Sequence, residues 1–132
     1  MIKALLSHAY WMLTFRHDGR GIPDRVGPAF WLALAWFCAW YWTWQIAFSE
    51  RPVGFVWLFL VPLMYALLTP ATGAHWATFF IILASTGDML RILALPFVAM
   101  FGDDVKNFCA AYYWTVLLAG IVNFKHKRQS HA

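Results

Sequence analysis

Charged side chains are what this sequence has least of. Lys and Arg number 10 and Asp and Glu 6, together 12% of 132 residues. A soluble domain carries about a quarter, because its surface must stay hydrated. The chain is 62% hydrophobic with a mean hydropathy of +0.59. Its apolar residues come in long runs rather than amphipathic stripes, so a lipid bilayer is the expected solvent.

Other shortages exclude further classes. The two cysteines, Cys38 and Cys109, both lie in apolar runs. They are too few and too distant for a disulfide framework or a thiolate metal site, which leaves them as small packing residues. No metal site is expected. There is no phosphate loop or dinucleotide glycine fingerprint, and Gly19-x-Gly21 reads as a turn. No intramembrane histidine stands beside Ser85, Thr86 or Asp88, and no second acid accompanies Asp88 within a span, so an enzyme is not expected. The net charge of +4 comes without a recognition helix or a basic-aromatic platform, so nucleic acid is not an expected partner. Ser7, His8, Thr14 and Arg16 interrupt any compact apolar core near the N-terminus, which argues against a cleavable signal peptide. The histidines are His8, His17, His75, His126 and His131. Haem in a bundle usually takes two axial ligands at matched depth. Only His75 adjoins a span and it has no obvious mate, so haem anchoring stands as the weakest alternative.

What is present divides into segments. Residues 2–16 place Ile2, Leu5, Leu6, Ala9, Met12 and Leu13 at helical spacing, with Trp11 and Phe15 suited to the headgroup boundary. This pattern predicts an amphipathic helix lying at the membrane interface. A link rich in Gly and Pro follows. The first span is predicted over 29–48, the second over 53–68, the third over 75–101 and the fourth over 105–124. Pro62 should kink the second and free a backbone carbonyl one turn earlier. The third segment is longer than a bilayer core requires, and its middle reads Ser85-Thr86-Gly87-Asp88-Met89-Leu90-Arg91. It is either one long tilted helix or two half-helices broken at Thr86-Gly87, with Pro96 a second possible kink.

The fold class expected is therefore all-α and polytopic, with four spans and an N-terminal interfacial helix in one membrane domain. Lys3, Arg16, Arg20 and Arg25 precede the first span and Lys125, Lys127 and Arg128 follow the last. The positive-inside rule then puts both termini in the cytoplasm, in keeping with a bacterial inner membrane.

Asp88 and Arg91 are the only ionisable residues deep in an apolar run, which makes them, with Ser85 and Thr86, the intramembrane polar candidates. Their i,i+3 spacing allows them to pair on one helix face. A structural pair would hold helices together, whereas a hydrated Asp88 could carry protons. Small residues mark candidate packing faces: Ala35, Cys38 and Ala39 in the first span, and Ala110, Ala111, Ala119 and Gly120 in the last. The expected function is a non-catalytic membrane subunit or scaffold, whose partners are the bilayer and other membrane subunits or further copies of itself. The alternative is a small oligomeric channel or transporter using an interrupted third segment around Asp88 and Arg91.

Overall fold

The computed structural model describes residues 2–22, 25–51, 54–72 and 74–130, with side chains described except at 68–72, 74 and 126–130. Pro23, Pro52, Val53, Gly73 and His131, on which the sequence reading places turns, the start of the second span and one histidine, lie outside the described residues. The fold is all-α. Its helices are α1 (Ile2–Leu13), α2 (Pro28–Thr43), α3 (Phe55–Thr72), α4 (Ala74–Phe101) and α5 (Asp103–Ser130). A π-helical turn, Trp44–Phe48, continues α2. By length and composition His75–Phe101 and Asp103–Lys125 are able to cross a membrane, and Phe55–Leu67 is a shorter apolar helix.

The centre of the bundle is α4, which packs against α1, α2, α3 and α5. Between Ala77 and Met89 it is buried almost all round, its polar residues Thr78, Ser85, Thr86 and Asp88 included. The third segment is one continuous helix, so the half-helix alternative is not adopted. The hydroxyls of Ser85 and Thr86 both fold back onto the Ile82 carbonyl at 2.8 Å, which satisfies them within the helix. Gly87 marks a close approach instead of a break. A Cβ there would stand 2.5 Å from the Tyr113 ring of α5, and only a residue without a side chain admits that ring.

In α2, Pro28 occupies the first turn, where its missing N–H costs nothing. Phe30, Ala33, Phe37 and Tyr41 recur at helical spacing and form its buried face, which meets α4. Ala35 and Ala39 point outward and are exposed, with Cys38 only partly buried. The small-residue face expected to pack is therefore not the one used within this chain. The last helix divides similarly. Gly120 is buried beneath the Phe79 ring and Ala119 is partly buried, while Ala110 and Ala111 are exposed.

Residues 2–16 are helical as far as Leu13. Leu5, His8, Ala9 and Met12 line the buried face of α1, which packs on α4 and α5. The helix closes in a Schellman motif: Phe15 N–H donates to the Met12 carbonyl and Arg16 N–H to that of Trp11, with Phe15 at φ 59°. Two carbonyls at this end are met by α5, Leu13 by the Tyr112 hydroxyl and Phe15 by the Asn123 amide. Met12 Sδ lies 3.9 Å from the Thr86 hydroxyl. Thr86 is about 18 Å along α4 from its start, by the rise of an α-helix. The end of α1 thus reaches the middle of the bundle.

Contacts define two ends. Gly19, His75 and Phe124 meet at one, bringing together the α1–α2 link, the start of α4 and the last turns of α5. The Lys106–Glu50 ion pair, 2.9 Å, marks the other, joining the α2–α3 link to the start of α5.

Pro62 resolves into a specific interaction. Lacking an N–H, it leaves the Leu58 carbonyl without its intrahelical donor. The Trp42 indole N–H of α2 donates to that carbonyl at 2.7 Å. Trp42→Phe should therefore cost about 1–3 kcal/mol, the cost of a buried acceptor left unmade. In the Pro62→Ala background the new Ala N–H supplies Leu58, so Trp42→Phe should cost much less. Thermal unfolding of the four proteins in one detergent checks this, and additive losses would contradict the assignment.

Candidate functional site

The polar candidates of α4 separate into two groups. Ser85 and Thr86 are fully buried and spend their hydroxyls on Ile82, and Thr86 also faces α1 through Met12. Asp88 and Arg91 lie one turn further on. Asp88 is buried, and Arg91 Nη1 approaches its Oδ1 at 3.4 Å. That distance describes a loose ion pair, longer than a charge-assisted hydrogen bond. The guanidinium carbon also sits 5.7 Å from the centre of the Trp44 ring, in the π-helical turn. An arginine over an indole face is attracted by the ring quadrupole.

Asp88 is the electrostatic hub of the bundle. Tyr41 of α2, Tyr65 of α3 and Tyr113 of α5 are all near enough to interact with its charge. Phenols from three helices thus lie within electrostatic range of one carboxylate on the fourth. Nothing in the sequence spacing of the tyrosines pointed to this, because each lies on a different helix. Tyr113 directs its hydroxyl to the Leu83 carbonyl at 3.3 Å, and Tyr112 bonds to the Leu13 carbonyl of α1.

Sequence also passed over the histidine pair. His8 Nδ1 and His17 Nε2 are 2.8 Å apart, and both rings are buried. The Gly19 N–H donates to His17 Nδ1 at 2.9 Å, so the neutral ring carries its proton on Nε2 and donates it to His8. Gly19 has φ +85°, and a Cβ there would strike the Phe124 ring at 2.6 Å, so glycine is required for the turn that aims this N–H. His75 is close enough to influence His17, and its ring packs on Phe124 with centroids 4.9 Å apart. Among the described residues no three His, Cys, Asp or Glu side chains converge on a metal-sized site.

At the Glu50–Lys106 end a cavity of about 610 Å³ opens between the π-helical turn, α4 and α5. It extends from the rim at Asp103 down to Gly87 and Arg91, with Cys109 and Ala110 in its wall. Comparison with protein families, with curated proteins and with solved structures finds no match to this chain.

The histidine pair generates a pH prediction. Burial pushes His17 down to about 4, helped by the charge of His8 and opposed by that of Asp18, with His75 a further lowering influence. Burial lowers His8 also. Between about 6.5 and about 4 the unfolded histidines take up protons that the folded ones refuse, so stability is complete at neutral pH and falls through this window. Protonation would in addition turn His17 Nδ1 into a donor facing the Gly19 N–H. The protection factors of the amides of residues 5–22 in micelles, that is, exchange rates corrected for their intrinsic pH dependence, should fall as pH drops from 7 to 4. His17→Gln, which keeps a donor and an acceptor without titrating, should flatten that dependence. Identical pH profiles in the two proteins would contradict the role of the pair.

Proposed function

We propose that this chain is a non-catalytic integral membrane subunit whose four spans are α2 with its π-helical turn, α3, α4 and α5. Residues 28–48 would extend about 31 Å and α3 about 27 Å, close to the thickness of the hydrocarbon core. The surface supports the reading. Phe55, Val56, Phe59, Leu63 and Leu67 on α3, and Phe108, Trp114, Leu118 and Val122 on α5, are large apolar side chains left exposed. A soluble protein does not display such belts without a partner. Arg16, Arg20, Arg25 and Lys125 belong to the segments at the Gly19–His75 end, which the positive-inside rule makes the cytoplasmic one in this reading, and both termini would be on that side of the membrane.

The observation that carries the subunit role is the outward position of the small residues. Ala35 and Ala39 on α2, and Ala110 and Ala111 on α5, form surfaces that admit close helix approach, and among the described residues all four are exposed. The helix that uses them comes from another chain, either a different membrane protein or a second copy.

One observation favours a second reading. The cavity that reaches Arg91, beside Asp88, resembles a vestibule, and a transporter would work from it. Such a transporter would have to use a continuous α4, since the interruption expected at Thr86-Gly87 is absent.

The subunit reading predicts that Ala39→Leu or Ala111→Leu leaves the unfolding of the isolated chain within about 0.5 kcal/mol, as for other exposed positions. The same substitutions should markedly lower its assembly with itself or with its partner. Native mass measurement in mild detergent reads both quantities. Unchanged assembly in the two variants together would refute the use of these faces.

A further inference from the structure

The cavity at the Glu50–Lys106 end has a composition that neither subunit packing nor the Asp88 hub requires. Its walls are largely apolar, with Phe48, Leu90, Leu95, Val98 and Trp114 among them. Five charged residues face it: Glu50, Arg51, Arg91, Asp103 and Lys106. Lys106 and Glu50 satisfy each other at 2.9 Å. That leaves two arginines in the cavity against Asp103 alone.

Arg91 is the distinctive one. Its loose contact with Asp88 engages one nitrogen, Trp44 sits beneath the guanidinium, and the side chain, 53% exposed, lines the cavity. A guanidinium carries five N–H donors in a planar fork that matches the oxygens of carboxylate and phosphate. Set among apolar walls, such a fork gains more from an anion than it would in water. The volume is within the range of about 300–1,000 Å³ typical of small-molecule sites.

We propose that this cavity binds an amphiphilic anion, with one carboxylate or phosphate group held by Arg91 and Arg51 and an apolar body lying along Leu90, Leu95 and Trp114. The anion enters either from the bilayer, as a lipid headgroup with its chains, or from water as a free amphiphile. In both cases the recognising chemistry is the same. Ala110 lies in its wall, but the binding groups Arg91, Arg51, Leu90, Leu95 and Trp114 are not part of the alanine faces tested at Ala39 and Ala111, so the site stands or falls separately from the subunit role.

The test uses the full chain in neutral maltoside micelles, titrated calorimetrically with dodecanoate, with phosphatidylglycerol and with uncharged dodecanol. Saturable binding of at least one anion in preference to dodecanol is the expected result. Binding of phosphatidylglycerol alone identifies a lipid headgroup as the source, and binding of dodecanoate alone identifies a free amphiphile. The Asp88→Asn/Arg91→Gln double variant removes both charges together and so avoids stranding a buried carboxylate. It should bind the anion at least about tenfold more weakly, the loss of a charge-assisted hydrogen bond. Arg51→Gln, at an exposed position, should weaken binding in the same direction and serves if the double variant does not fold. Dodecanol binding as tightly as the anions, no saturable binding by either anion, or full affinity retained in the folded variants would each overturn the proposal.

Discussion

In an apolar surrounding every backbone polar group must find its partner inside the protein, and this requirement organises the bundle. The Leu58 carbonyl, released by Pro62, is met by Trp42. The Leu13 and Phe15 carbonyls at the end of α1 are met by Tyr112 and Asn123. The Ser85 and Thr86 hydroxyls share the Ile82 carbonyl. The first two cases join different helices, so the satisfaction of single carbonyls also fixes which helices are neighbours. Dispersion forces between apolar side chains would tolerate other arrangements. An unmet carbonyl would not.

Charge follows the same logic at larger scale. Asp88, the one buried carboxylate among the described residues, sits on the central helix, where phenols from α2, α3 and α5 and the guanidinium of Arg91 come within electrostatic range. At the two ends of the bundle Lys106 pairs with Glu50 and Arg20 with Asp18. A buried charge is costly wherever it stands, and a central helix offers it the most partners. The Tyr113 ring reaches this region because Gly87 leaves room for it.

Much of this was legible beforehand, in features that a single helix carries. Long apolar runs marked the helices, the spacing of Leu5, Ala9 and Met12 marked the face of α1, and Pro62 announced a freed carbonyl. What could not be read were relations between helices. Small residues at Ala35 and Ala39 signal that close approach is possible, not that a helix of the same chain makes it. Gly87 has the same signature whether it breaks a helix or receives a ring. His8 and His17 lie nine residues apart across a reversal that depends on Gly19 having a positive φ, so their meeting is a property of the turn. The third segment stays whole and its hydroxyls bond within the helix, which sequence spacing allows without requiring.

The central claim is that the apolar belts of α3 and α5 face lipid or another membrane chain. It is tested by cysteine accessibility in proteoliposomes. With Cys38 and Cys109 replaced by alanine, single cysteines are placed at Leu63, at Leu118, and at the polar positions Glu50 and Asp103, and labelled with a membrane-impermeant maleimide. Labelling after denaturation in dodecyl sulfate sets the full scale. The account predicts prompt labelling at Glu50 and Asp103 from a single side of the membrane, and protection at Leu63 and Leu118 until denaturation. Labelling at Leu63 and Leu118 as fast as at Glu50 would contradict it.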